Sequence, residues 1–562
     1  MIRRRSIASL VCLAIACGSI GCRGGTGGAP PSVAADAWFE EIAARAGIEF
    51  VHSSGHQVTH PLPEIMGGGV ALFDLDNDGL LDLYFVQSGN LADPSAGGGN
   101  RVYRNRGDGT FEDVTEQSGA AVSIYGMGVA AADFDNDGFT DLYVTGYGRS
   151  VLLKNDGHGH FVDVTAKAGV SGAGWSTSAA FLDYDGDGAL DLFVARYMNW
   201  KMAGEIECYS LTGVPDYCSP ASYDLPAASA LYHNNGDGTF TDVSDRSGIT
   251  SAVGNGLGVV AGDFDGDGRV DIFVANDRTP NHLWLNQGGG RFRESALAFG
   301  CALDQDGVAK SGMGVAAVDA DDDGDLDLLV VNLDGESDSF FRNSGRFFVD
   351  DTVAVGLRTP TRQFTRFGTA MLDFDNDGAL DLYEANGRVG LQSQMYSSDP
   401  YAEPSMLLRG FPGPRFEEVR PRGGTRTPLV ATSRAAAFGD IDNDGGIDIV
   451  VVNRDARPYL LHNVVTPRGH WTMLRILDEH GRDALGAQVT MTIGTKTIRR
   501  DVKAAYSYLA SNDPRVHVGM GRETVARGIT VRWADGSRES FGDAQADRIV
   551  VLRHGSGKPI RG

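Results

Sequence analysis

The segment Asp133–Asp141, DFDNDGFTD, places carboxylates at loop positions one, three, five and nine, with Gly138 at position six. Asp133, Asp135, Asp137 and Asp141 can converge on one cation, and the peptide carbonyl of Phe139 at position seven can add an oxygen. Gly138 permits the sharp turn that aims them inward. Carboxylates this close repel unless a divalent ion sits among them. An all-oxygen donor set of irregular geometry suits Ca²⁺ better than Zn²⁺ or Mg²⁺.

The pattern occurs seven times. The other ligand sets are Asp74, Asp76, Asp78 and Asp82 (DLDNDGLLD); Asp183, Asp185, Asp187 and Asp191 (DYDGDGALD); and Asp263, Asp265, Asp267 and Asp271 (DFDGDGRVD). Further along stand Asp319, Asp321, Asp323 and Asp327 (DADDDGDLD); Asp373, Asp375, Asp377 and Asp381 (DFDNDGALD); and Asp440, Asp442, Asp444 and Asp448 (DIDNDGGID). Unrelated acidic turns would not hold four fixed positions through every copy. Up to seven calcium ions are therefore expected.

The elements that must position these loops are strands. An EF-hand would need flanking helices and a Glu at position twelve. Here position twelve holds Phe85, Val144, Val194 and Val274 in the first four loops, and the flanks (GVAAADF, DLYVTG) are short runs rich in branched and aromatic residues. A third strand follows each loop and ends in Asn or a similar residue, as in RVYRN, VLLKN, ALYHN and HLWLN. A tight turn then leads to a fourth strand of the F-x-D-V type, starting at Phe111, Phe161, Phe240, Phe292, Phe348 and Phe416. Four antiparallel strands per unit is the signature of a β-propeller blade.

No such strand follows the seventh loop. However, Phe39-Glu40-Glu41-Ile42 precedes the first, and FEEIAARAGI matches FVDVTAKAGV. The N-terminal strand is expected to complete the last blade and remove the two open edges. The fold class is thus all-β: a seven-bladed propeller over residues 38–465, then a small β domain over 466–562 with strand alternation in QVTMTI and ITVRW.

The 562-residue chain has a formal charge of −25, to which the loops contribute heavily, so bound calcium would remove much of it. The acidity argues against nucleic-acid binding. Residues 1–21 combine Arg3, Arg4 and Arg5 with a short apolar run, as in a secretory signal. Cys22 follows Ser19-Ile20-Gly21 and Cys17 follows Ala14-Ile15-Ala16; both contexts resemble a lipoprotein box. Cys22 is favoured as the lipidated residue, because a Gly-rich tether (22–37) follows it; plain secretion is the alternative. Either way the protein is expected outside the cytoplasm, in a bacterial cell envelope or secreted, touching a membrane only through that anchor. An insertion at about 196–229 carries Tyr197, Trp200, Tyr209, Tyr217 and Tyr223, plus Cys208 and Cys218, expected to form a disulfide. It reads either as a ligand-contact surface or as a cover over one mouth of the ring.

These residues resemble the FG-GAP/VCBS-repeat proteins that end in an ASPIC/UnbV domain, the cartilage acidic protein-like family. The resemblance rests on GVALFDLDNDGLLDLYF (69–85), the repeated G-x-G-x-A-x-x-D-x-D units and the C-terminal GAQV…VHVGMG…VRWADG. It implies a seven-bladed, integrin-α-like propeller, calcium in the blade loops, and export. The usual WPSG-like motif is replaced by Trp533-Ala534-Asp535-Gly536, and no EGF-like module is present. The family fixes architecture better than role.

Arg106-Gly107-Asp108 spells an integrin tripeptide but sits where other units have a hairpin turn. His52, His56 and His60 have helical metal-ligand spacing, yet Ser-Ser-Gly and Pro61 argue for a loop. No G-x-S-x-G, H-E-x-x-H or P-loop stretch occurs. The expected function is a calcium-binding scaffold for an extracellular protein or glycan. The alternative is a polysaccharide lyase or hydratase with its site in the central mouth, which would need His, Tyr, Arg or Lys side chains to converge.

Overall fold

The computed structural model describes residues 37–94 and 98–560. The expected signal segment and tether, up to Asp36, with Cys17 and Cys22, lie outside the described residues.

Each Asp loop joins the first two strands of a four-stranded antiparallel unit. In the first sheet these are Val70–Phe73 and Asp82–Phe85, followed by Arg101–Asn105 and Phe111–Asp113. The second is Tyr125–Ala132, Asp141–Tyr147, Val151–Asn155 and Phe161–Asp163. The same order repeats through the sheets that start at Ser176, Gly256, Val315, Arg366 and Ser433. In the last of them the outer strand is Phe39–Glu41, which pairs with Tyr459–Asn463 in the register Phe39 to Asn463. The inner strands lie beside one another in chain order, and the last, Ser433–Gly439, lies beside the first, Val70–Phe73. The inner strands are almost wholly buried because each packs on both neighbours.

One side-chain feature stitches adjacent sheets. The Asn that ends the third strand sends Nδ2 to a carbonyl of the preceding Asp loop: Asn155 to Leu75 at 2.8 Å, Asn234 to Phe134 at 2.8 Å, Asn286 to Tyr184 at 2.7 Å, Asn343 to Phe264 at 2.9 Å and Asn463 to Phe374 at 2.9 Å. Asn105 of the first sheet reaches Ile441 of the seventh loop at 2.8 Å, so the same bond runs from the end of the chain of sheets to its start. In the sixth sheet the position is Gly410, where a Cβ would lie 1.9 Å from the Leu380 carbonyl. The strand there approaches its loop too closely for a side chain.

Residues from His470 onward form two further sheets, one from His470–Leu477, Val516–Gly521 and Arg548–Arg553, the other around Gln488–Ile493 and Val525–Arg532. Most of their apolar side chains form a core of their own, while Trp471 and Met473 pack with Phe39, Phe374 and Phe438 of the ring. A segment between them, residues 505–512, enters the ring. Ser507 exchanges backbone bonds with Val315 and its Oγ donates to the Ala436 carbonyl at 2.8 Å. Ala510 pairs with Val70, and Ser511 Oγ accepts the Ala131 N–H at 3.1 Å. Tyr508 is fully buried, donates to the Met66 carbonyl at 3.2 Å and stacks edge-on against Phe367. With Met127, Trp175, Leu257 and Met313 these side chains fill the centre of the ring as a packed core. Leu509 adopts φ +54°, strained for a branched side chain, and the surrounding contacts hold it there.

The insertion acts mostly as a cover. Of its aromatic side chains Tyr197, Trp200 and Tyr217 are buried, while Tyr209 is largely exposed (59%) beside the exposed Leu211 and Val214. Trp175, Tyr197 and Trp200 pack edge-on, and Tyr197 donates to Asp277 at 2.7 Å. Cys208 and Cys218 are disulfide-bonded, and Asp216 beside them accepts from Leu391 N–H (2.6 Å) and Tyr401 OH (2.9 Å) across the ring. Cys301 is buried as a free thiol. Among the described residues no helix is long and apolar enough to cross a membrane.

Candidate metal centre

The Asp loops share one hydrogen-bond design. The carboxylate at position one accepts the N–H groups of positions five and six: Asp74 from Asp78 and Gly79, both at 3.1 Å. Position five caps the turn, as Asp78 does by accepting the Leu80 N–H at 2.9 Å. Position nine is buried at the foot of the loop. Asp82 accepts the Leu75 N–H and the Asn105 N–H, both at 2.7 Å.

Two residues per loop need left-handed backbone. Position six is Gly throughout, at φ +86° to +97° in loops such as those of Gly188 and Gly324. Position four is Asn, Gly or Asp, with φ between +58° and +62° at Asn77, Asn136, Asp322, Asn376 and Asn443. Those residue types tolerate that conformation. The Asn side chains point away from the carboxylates toward the next loop: Asn77 to the Gly138 carbonyl at 2.8 Å, Asn376 to Gly445 at 3.0 Å and Asn443 to Gly79 at 3.2 Å.

The carboxylates themselves converge. Ligand atoms of Asp74, Asp76 and Asp78, of Asp133, Asp135 and Asp141, and of Asp183, Asp185 and Asp191 lie within 4.8 Å of one another. Buried oxygens of Asp76, Asp135, Asp263 and Asp321 have no hydrogen-bond donor. A desolvated carboxylate oxygen without a partner, inside a trio of carboxylates, is the arrangement a hard cation would satisfy. Burial also drives the position-nine carboxyls up, to about 8 for Asp82, Asp191, Asp271 and Asp327, and well above the usual range for Asp141 and Asp381. Without a cation these groups would hold protons; a cation would replace them.

One component escaped the reading of the sequence. The residue just before the third-strand Asn is basic in most sheets, and it reaches over the loop. Arg104 lies 2.5 Å from Asp76, Lys154 2.9 Å from Asp137, His233 3.1 Å from Asp191, and His462 3.1 Å from Asp448. Arg409 bridges Asp375 (2.9 Å) and Asp377 (2.8 Å). The loops therefore carry a built-in counter-ion, and carboxylate repulsion is less one-sided than the Asp spacing alone implies. The signal was legible in RVYRN, VLLKN, ALYHN and YLLHN.

The C-terminal domain touches every loop. Arg475 stands 3.6 Å from Asp74. Arg482 donates to the carbonyls of Asp133 (3.3 Å) and Gly188 (2.8 Å), and Arg532 to Gly268 (2.8 Å). Arg500 reaches Asp319 (3.2 Å), Arg499 reaches Gly324 (2.8 Å), the Gly521 N–H bonds Asn376 (2.8 Å), and Arg515 donates to Asp440 (2.8 Å). Most of these guanidinium groups dock on loop carbonyls, whereas Arg475 pairs with the Asp74 carboxylate and Arg468 with that of Asp444 at 2.5 Å.

At the opposite face a second group gathers from distant segments. His56 Nδ1 lies 3.1 Å from both Glu64 Oε2 and Tyr217 OH, and Tyr217 OH donates to Glu64 at 3.3 Å. Glu64 is fully buried, and burial pushes its carboxyl up to about 8. Arg454 lies over the rings of Tyr401 (4.6 Å) and Tyr217 (5.5 Å), with Nε and Nη1 buried and lacking hydrogen bonds. The sequence shows no converging cluster beyond the insertion's tyrosines, and the structure joins one of them, Tyr217, to His56, Glu64 and Arg454. Residues from 56 to 454 meet only because the ring brings its ends together. Of the three histidines, His52 is buried against Ser88 (3.0 Å), while His56 and His60 pack at 5.1 Å in a loop.

Comparison with known proteins agrees with this architecture. A family model described as ASPIC and UnbV matches residues 478–559, and one described as FG-GAP-like repeat matches 74–144, 133–194, 212–274 and 263–330. Cartilage acidic protein 1 of Mus musculus is 26% identical over 335 residues, 58% of this chain and 49% of that protein. Cartilage acidic protein 1 of Xenopus tropicalis is 24% identical over 501 residues, 86% of this chain and 64% of that protein. This chain thus spans about half to two thirds of those relatives' lengths. Among solved structures, an Agrocybe aegerita protein described as recognising non-reducing terminal N-acetylglucosamine aligns at TM-score 0.36 and 16% identity, over 70% of this chain and 87% of that one. The chain is an all-β propeller protein of FG-GAP-like repeats with a C-terminal ASPIC and UnbV domain, homologous to the cartilage acidic protein 1 family.

Proposed function

We propose that this protein is an exported, calcium-binding β-propeller scaffold that binds an extracellular protein or glycan. The observation that carries the calcium reading is the set of donor-less, buried carboxylate oxygens of Asp76, Asp135, Asp263 and Asp321, each inside its loop's carboxylate cluster. Calcium in a loop would be held by the carboxylates at positions one, three, five and nine. The loop backbone, pinned by its turn bonds and by the C-terminal arginines, would hold them in place. When bound, the ion supplies positive charge that neutralises the loop. The binding reading is supported by the filled centre of the ring, which leaves its outer surfaces for contact. Export is supported by the N-terminal segment and by the Cys208–Cys218 disulfide. Calorimetric titration with calcium, followed by glycan and protein array screening with and without EDTA, tests the proposal. Absence of calcium uptake at millimolar concentration refutes it.

A second reading is favoured by one observation, the His56, Glu64, Tyr217 and Arg454 group. A buried carboxyl group held against Nδ1 of a half-exposed His fixes the orientation of the ring, as a general base requires. A guanidinium between tyrosines could meet an acidic sugar. On this reading the protein is an enzyme acting on polysaccharide at the covered mouth. Turnover of acidic polysaccharides by the native protein, lost in His56→Ala, would support it; no product release by either would exclude it.

A further inference from the structure

A cavity of about 230 Å³ lies between the first two Asp loops and the C-terminal domain. Its walls are largely apolar, with Phe73, Leu485, Ile549 and Val551 among the lining residues. A wholly apolar cavity of about 150 Å³ accommodates benzene; this one is larger and has charged groups in its wall, so it can take a ring with polar substituents. Two charged groups in its wall are poorly satisfied. Arg475 has two ion pairs, to Asp74 at 3.6 Å and to Asp483 at 3.5 Å, both longer than the 2.7–2.9 Å of a good charge-assisted hydrogen bond. Asp483 Oδ1 is buried and accepts no hydrogen bond. The other arginines of the wall are engaged: Arg515 with Asp513 at 2.8 Å, and Arg482 with Asp478 at 2.5 Å.

An apolar pocket with a few convergent polar groups is where a small ligand binds. Here the polar groups are one under-bonded cation and one under-bonded anion, side by side. A ligand with only a carboxylate would leave Asp483 unmet and add to the acidity of Asp74 and Asp133. A ligand with only an ammonium would leave Arg475 unmet. We propose that this interdomain cavity binds a small zwitterion with an apolar body, of the class of an aromatic or branched α-amino acid, its carboxylate on Arg475 and its ammonium on Asp483. The inference does not rest on the calcium reading.

The test is saturation-transfer NMR and calorimetry on the full chain with L-phenylalanine as probe, in calcium and in EDTA. Phenylacetate and phenethylamine, which each lack one charge, serve as comparison probes. Saturable binding of L-phenylalanine is expected with Kd on the order of 10⁻⁴ M. Both single-charge probes should be at least about tenfold weaker, because each leaves one wall group unpaired. Arg475→Gln and Asp483→Asn should each weaken L-phenylalanine by about tenfold or more, with melting transitions recorded alongside. Leu485→Trp should abolish binding by filling the cavity. No saturable binding up to 10 mM in either condition overturns the proposal, as does equal affinity for the single-charge probes. Undiminished binding in folded Arg475→Gln or Leu485→Trp overturns it as well.

Discussion

Replacing Asp375 with Ala, set against Asp322→Asn as a control, separates a cation ligand from a turn residue. Asp375 stands at position three of the sixth loop, is 8% exposed, and pairs with Arg409 at 2.9 Å. Around it burial, and repulsion among the carboxylates, hold Asp373 and Asp381 well above the usual range. If calcium occupies this loop at tenfold excess over its dissociation constant, losing the site costs about 1.4 kcal/mol; at hundredfold excess it costs about 2.7 kcal/mol. In EDTA the sign differs. Removing one carboxylate relieves repulsion, and Arg409 keeps Asp377 at 2.8 Å, so Asp375→Ala is expected to be neutral or stabilising. Asp322, at position four, has φ +62° and points to Lys496 at 3.1 Å. Asn tolerates that backbone, and the exposed ion pair contributes about 0–1 kcal/mol in either condition. The assays are thermal melting in calcium and in EDTA, plus calorimetric stoichiometry, which should fall by one ion in Asp375→Ala alone. Equal destabilisation of Asp375→Ala with and without calcium would refute the ligand assignment, and loss of a site in Asp322→Asn would refute the register.

Three further outcomes are expected. Asn376→Ala, at φ +58° and with its bond to Gly445 lost, should destabilise by about 2–3 kcal/mol with no dependence on calcium, read by denaturant melts. Tyr508→Ala empties a fully buried site at the centre of the ring; a loss of about 3–5 kcal/mol and faster proteolysis between the ring and the C-terminal domain should follow. Burial pushes His517 down to about 4, beside the Gly445 carbonyl at 3.2 Å. Its folded value lies below the unfolded value of about 6.5, so its contribution is complete above that pH and is lost as pH falls toward 4. That amounts to about 3 kcal/mol, and a pH series of melting temperatures should show a shallower acid limb in His517→Gln.

The loops were legible because their geometry is local. Nine residues, with Asp at fixed positions and glycine where φ must be positive, dictate where the carboxylates point, whatever surrounds them. The strand grammar was legible for a similar reason: alternation and turn residues act over a few positions. Even the pairing of Phe39–Glu41 with Tyr459–Asn463 could be read, since FEEI matches the outer strands that follow the other loops. The aromatic insertion was harder. Tyrosines suit a ligand surface and a packed cover equally; burial makes Tyr197, Trp200 and Tyr217 part of a cover and leaves Tyr209 at an exposed tip.

What the chain's spacing cannot carry is contact between segments far apart in sequence. The entry of residues 505–512 into the ring depends on where the C-terminal domain docks. So does the placement of its arginines on six of the loops, and so does the cavity lined by Arg475 and Asp483. The gathering of His56, Glu64, Tyr217 and Arg454 requires the first and last sheets to be neighbours. Local rules set each loop and strand, while the circular arrangement of sheets sets which side chains meet, because burial in a shared core fixes distances that no short motif encodes.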